Sequence, residues 1–140
     1  MAMSLKEQQQ LKEEAFQEAM RYMENAKDVL KKADKHDNIY NDKKYVKMAC
    51  GTAYNAVLIA LDAYLKLKND VVYSERDRKN IDFYRKNIAT LDKKLLGQLN
   101  IAYEVLHLLG YYDGITSVKV LHEGFESANH IINKIKPVAN

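Results

Sequence analysis

Glu104 and His107 stand in a Glu-x-x-His spacing, which on one helix lets a carboxylate and an imidazole reach the same metal ion, as in carboxylate-bridged di-iron bundles. Further along, His122, Glu126 and His130 are each four apart and share a helix side. Metal sites in bundles need ligands that point into the core. At roughly 100° per residue, Glu104 falls nearly opposite the Leu95, Leu99, Leu106 stripe and His130 nearly opposite the Leu121, Phe125, Ile132 stripe. Both are expected to face solvent, and a single Glu-x-x-His is present where such a site takes two, so no metal and no cofactor is expected.

Nucleophilic chemistry has less to work with. The single cysteine, Cys50, can form neither an intrachain disulfide nor a cysteine zinc site, and it lies among Ala and Gly in the most apolar stretch of the chain. A buried, inert thiol is expected there. The sequence has no Gly-rich phosphate loop, no Ser in a strained elbow and no strand to position either. Asn55 and Asp62 lie seven apart on a narrow polar strip of an otherwise apolar helix, within reach of Tyr54 and of Tyr103 from a later helix. That strip reads either as the wall of a ligand pocket or as a hydrogen bond that fixes helix register.

The elements that must position these residues are helical. Among 140 residues there are one Pro and five Gly, with 47% hydrophobic and 29% charged residues, which suits one helical domain spanning residues 1–140. "SLKE" sets Ser4 and Glu7 as a capping box for a first helix, followed by a stripe of Phe16, Ala19, Met23, Ala26, Leu30 and Ala33. The polar string 34–41 reads as a connection. In "YVKMACGTAYNAVLIALDAYLKLK", Ala49, Ala53, Ala56, Ala60 and Ala63 form one face, while Val57, Leu58, Leu61, Tyr64 and Leu65 form a second, bulky one. Ser74 and Asp77 carry a second capping-box spacing ahead of a segment that keeps an apolar stripe as far as Gly110, and a break is expected near Thr90 as a new cap. A last helix is expected from Ser117 to Lys136, ended by Pro137. The expected architecture is an all-α, up-and-down four-helix bundle, with five segments if the break at Thr90 is real.

A helix with two apolar faces is either central to a bundle or shared with a second subunit. Ile101, Val105 and Leu108 widen the apolar arc of the third segment as well, so a homodimer is expected. "MAMSLKEQQQLKEE" has no apolar run of the signal-peptide kind, and Asn55 and Asp62 interrupt the most apolar segment, so a cytoplasmic protein with no membrane partner is expected. The net charge of +3 comes from mixed-sign runs, which mark solvated helix faces and give little support to a nucleic-acid partner.

The Ala-Tyr-x-Ala core of the second helix, the tyrosine-bearing turn "LGYYDG" and the amphipathic "VKVLHEGFESANHIINKI" resemble the HEPN group of helical bundles and the related domains that accompany nucleotidyltransferases. The resemblance implies the bundle, a dimeric habit and a nucleotidyltransferase-type protein partner. It also brings Tyr111 and Tyr112 of the turn into the candidate binding set with Tyr54, Asn55, Asp62 and Tyr103. HEPN ribonucleases use an Arg followed a few residues later by a His. Arg21, Arg76, Arg78 and Arg85 have no such His, and Leu, Ile, Ala and Tyr precede His107 where that Arg belongs. No catalytic residue is therefore assigned. A second resemblance is to the four-helix proteins encoded within ribosomal RNA intervening sequences. Two classes follow: a non-catalytic, dimeric module that binds a protein or a nucleotide, or an RNA-associated bundle such as a degenerate HEPN ribonuclease.

Overall fold

A computed structural model describes residues 3–69 and 80–138. Ser4 opens helix α1, Leu5–Lys31: its hydroxyl accepts from the Glu7 backbone N–H at 3.1 Å and the Glu7 carboxylate accepts from the Ser4 N–H at 3.4 Å, the reciprocal capping box that the spacing predicts. Ala19, Met23 and Ala26 are its buried positions, and α1 packs along α2 more extensively than any other two elements pack.

The connection 34–41 holds more order than its polar composition suggests. Lys35–His36 (β1) and Ile39–Tyr40 (β2) pair antiparallel around Asp37 and Asn38, with Asp34 and Asp37 in the left-handed region at φ 50° and 58°. Aspartate tolerates that region better than most residues. Ile39 bridges to Ser117, the Tyr40 N–H donates to the Thr116 carbonyl and the Val118 N–H donates to the Asn38 carbonyl, both at 2.9 Å. The hairpin thus ties the α1–α2 connection to the start of the last helix.

Helix α2, Lys43–Asn69, is the centre of the molecule. Ala49, Ala53, Ala56 and Ala60 are fully buried, and so are Val57, Leu61 and Leu65 on the other face. By length and composition α2 is apolar enough to cross a membrane, but in this fold α1, the segment 103–112 and the last helix pack against it. Both of its apolar faces are therefore covered within one chain.

The expected cap at Ser74 and Asp77 lies outside the described residues. Helix α3, Ile81–Ala89, begins at Asn80, whose side chain accepts from the Phe83 N–H at 3.0 Å, and closes at Thr90. The break is present, but Asp92, not Thr90, caps the next helix, α4, Lys93–Ala102. Its carboxylate accepts from the Leu95 N–H at 3.0 Å and pairs with Lys134 of the last helix at 3.0 Å. The Leu95 N–H and then the Lys134 ammonium hold Asp92 below the usual carboxylate range. A carboxylate at a helix N-terminus meets free N–H groups and the positive end of the dipole, which a threonine hydroxyl satisfies less well.

From α4 the chain runs without interruption into a π-helical segment, Tyr103–Tyr112. Helix α5, Val118–Asn133, starts at Ser117, whose hydroxyl accepts from the Val120 N–H at 3.2 Å, and gives way to turns before Pro137, slightly earlier than expected. Leu121, Phe125, Ala128, Ile131, Ile132 and Ile135 carry its side of the core. The protein is an all-α bundle, with five α-helices, one π segment and one small hairpin among the described residues.

Candidate functional site: an aromatic cleft

The site is made by a change of helical register. In an α-helix the step of nine positions from Tyr103 to Tyr112 would leave the two rings about half a turn apart. An i→i+5 helix takes between four and five residues per turn, so about two turns bring both back to one side. Such bonding carries through the end of the segment, where the Asp113 N–H donates to the Leu108 carbonyl at 3.1 Å. The expected apolar stripe keeps Leu99, Ala102 and Leu106 fully buried, and beside it the rings at 103, 107, 111 and 112 form a row.

Close approach on both sides makes room for this wider helix. A Cβ at Gly110 would overlap the Cys50 sulfur and come within 3.0 Å of the Val105 carbonyl, while one at Gly124 of α5 would lie 2.5 Å from Val105 Cγ1. Gly51 of α2 lies against the Tyr111 ring, where a Cβ would sit 2.8 Å from Cδ1. Cys50 is buried as the sequence implies, and burial pushes its thiol up to about 12.

His107 is the centre of the cluster. Its ring centroid is 4.8 Å from Tyr54, 5.2 Å from Tyr103, 6.1 Å from Tyr111 and 5.0 Å from Tyr112. The Tyr103 and Tyr111 rings stack on it at interplanar angles of 30° and 11°, and Tyr112 meets it edge-on at 87°. These are the offset and edge-to-face arrangements that ring quadrupoles favour. Beside the rings lies a cleft of about 730 Å³, lined further by Met48, Thr52, Asn55, Leu58, Asn80 and Ile81. Among the described residues none of the lining side chains is a carboxylate, an ammonium or a guanidinium. Burial pulls His107 below its ordinary value, which keeps the imidazole neutral at neutral pH. Tyr54 is pushed up to about 12, by burial first and then by Tyr103, against the opposing pull of Arg85. The walls are thus uncharged and aromatic, with amide and hydroxyl groups at Asn55, Asn80 and Thr52 to orient a guest.

Of the residues singled out from sequence, Tyr54, Asn55, Tyr103, Tyr111 and Tyr112 come together in this cleft. Asp62 does not: it stands two turns along α2 and accepts from the Tyr84 hydroxyl at 2.7 Å, which docks α3 on α2. That is the register role weighed against a pocket wall. Glu104 is exposed, as are His122 and His130, and His122 lies 3.7 Å from Glu126. Among the described residues no group of three or more His, Cys, Asp or Glu side chains could hold a metal. Sequence reasoning passed over His107 as a site residue. The signal was present in Tyr103, His107 and Tyr111, aromatic rings at every fourth position.

The family model described as "Domain of unknown function (DUF5618)" matches residues 14–137, a span that includes every residue of the cleft. The chain belongs to this family. A solved structure of a protein of unknown function from Dyadobacter fermentans is similar to this DUF5618 chain with a TM-score of 0.76 and 43% identity, covering 89% of this chain and 94% of that one. No curated protein matches.

Proposed function

We propose that this DUF5618 protein is a non-catalytic, HEPN-like helical module whose cleft binds the flat ring of a nucleobase. The observation that carries the reading is the cluster of four tyrosines around His107 beside an open cleft whose described walls are uncharged apart from that imidazole. Stacking of a base on an aromatic side chain contributes about 1–3 kcal/mol and tolerates any base, because every base has a π-face. Cys50 is buried with its thiol raised, and the Arg and His pair of the resembling ribonucleases is missing, so incubation with total RNA is expected to leave it intact. Titration with adenosine, followed through the ring resonances of Tyr54 and His107, tests the binding. Shifts that vanish in Tyr54→Ala support it, whereas a flat response across the accessible concentration range sinks it.

The module is proposed to act as a homodimer. The second face of α2 is covered within the chain, so support comes from elsewhere: Met48, Tyr111 and Tyr112 are 51%, 47% and 59% exposed on the cleft rim, and Ile101 and Leu108 are exposed as well. A two-fold contact would cover such side chains against their own copies. Light scattering that gives a mass near 16.2 kDa at all practical concentrations removes the dimer and leaves the cleft reading untouched.

A further inference from the structure

We propose that Arg85 forms an anion subsite at the edge of the aromatic cleft, so that the guest is a flat ring carrying a phosphate, a nucleoside phosphate, rather than a free base or a cation. The proposal rests on the ring-binding reading above and adds the chemical class of the ligand.

Arg85 is one helical turn beyond Ile81, which lines the cleft, and residues four apart share a helix face. Its guanidinium carbon lies 5.1 Å from the centre of the Tyr103 ring, itself a cleft wall. The Arg85 Nε donates to the Asn100 side-chain oxygen at 2.8 Å, which fixes the plane of the guanidinium from the α4 side. Its acidic neighbour is a loose one: Asp82 Oδ1 is 3.9 Å from Nη1, beyond hydrogen-bond distance, and the Asp82 side chain is 88% exposed. The Arg85 side chain is itself 40% exposed, so an incoming anion can reach it. Its positive charge is felt at the Tyr54 phenol across the cleft, where it opposes the effect of burial.

A planar guanidinium already anchored through Nε offers its remaining N–H groups to phosphate oxygens in the fork geometry that arginine supplies and lysine does not. The rest of the site selects in the same direction. With no carboxylate among the described lining residues, a quaternary ammonium guest would gain ring contacts there but meet Arg85 uncompensated. A ring with a phosphate gains both. The same base-plus-phosphate chemistry comes from a free nucleotide or from a stretch of single-stranded RNA.

Isothermal titration of the full chain with adenosine and with AMP tests the subsite. Hydrogen bonds to a charged partner are worth enough to make AMP bind about ten-fold tighter or more. That preference is expected to shrink as salt is raised, since the group is partly exposed. In Arg85→Gln, AMP is expected to fall to the adenosine affinity while adenosine is unchanged, and Arg85→Lys, which keeps charge without the fork, is expected to lie between. Equal binding of the two ligands to the unmodified protein overturns the subsite and leaves ring binding standing. An AMP preference retained in Arg85→Gln does the same, as does one insensitive to salt, a measurement that needs no variant to fold. No response of Tyr54 and His107 to either ligand overturns the ring reading and the subsite together. A short oligoadenylate separates the two sources: binding tighter than AMP assigns the site to a strand, and weaker binding assigns it to a free nucleotide, both on the same Arg85.

Discussion

The contact of α1 with α2 and the segment Tyr103–Tyr112 solve opposite problems. Along α2 small residues recur at spacings of three and four and along α1 they alternate with large ones at the same spacings, α-helical periodicity is kept for 27 residues in each helix, and the product is burial: Ala19, Ala26, Ala49, Ala53, Ala56 and Ala60 are all at 0% exposure. In 103–112 the helix widens, and the product is a row of half-exposed rings in which Tyr112 joins Tyr103, His107 and Tyr111 on a side that an α-helix would not give it. Regular pattern in this chain builds the core, and its interruption builds the site.

If that contrast holds, the largest effect should come from overfilling the regular region. Ala56→Leu adds bulk to a fully buried position of α2 and is expected to destabilise by about 1–3 kcal/mol, with adenosine binding changed only in so far as the fold is lost. A melting midpoint equal to that of the unmodified protein would show that α1 and α2 are not closely packed.

The regular region was legible because its signals are local. Ser4 and Glu7 announce a cap, Ser117 another, and stripes at helical spacing report which faces meet. The hairpin at 35–40 was not legible, since two-residue strands have no periodicity to read and are held by Thr116 and Val118 from a distant part of the chain. Asp92 was passed over for Thr90 because its advantage depends on Lys134, which only the packed bundle brings near. Tyr54, Asn55 and Tyr103 follow from the polar strip of α2 and Tyr111 and Tyr112 from a resemblance, whereas His107 enters the sequence reading only through its Glu-x-x-His spacing with Glu104. A π segment depends on space made by Gly51, Gly110 and Gly124 on three different elements, and no single stretch of sequence records that coincidence.

Two glycines sharpen the contrast at the next level of effect. Gly110→Ala places a methyl group against Cys50 and the Val105 carbonyl, so a loss of about 1–2 kcal/mol is expected together with weakened ring binding, since 103–112 must shift. Cys50→Ala in the same protein should return part of the stability by removing the sulfur. Gly97, in α4, has nothing within 4 Å of its would-be Cβ, and there the same change should stabilise by about 0.5–1 kcal/mol through helix propensity alone. Equal effects at the two positions in thermal or urea unfolding would mean that the π segment is not held by close approach.

The smallest effect is a pH dependence confined to the ring cluster. Burial lowers the His107 value in the fold, whereas in the unfolded chain the imidazole titrates near its ordinary value of about 6.5. Between those two values the unfolded state binds more protons than the folded one, so stability rises with pH across that window. The contribution of a neutral His107 is therefore fully present above about 6.5 and is lost as pH falls towards the folded value, where a charged imidazole has to be held among four tyrosine rings. His107→Gln removes the titration and keeps a polar side chain of moderate size. Its melting midpoint is expected to be lower at neutral pH, through lost ring contacts, but to decline less than that of the unmodified protein between about pH 7.5 and about pH 5.5. Other groups titrate identically in both proteins, so the difference between the two curves isolates this one ring. Parallel curves would mean that the imidazole is as well solvated in the fold as in the unfolded chain, and the cleft would then lose the neutral centre on which its affinity for uncharged rings rests.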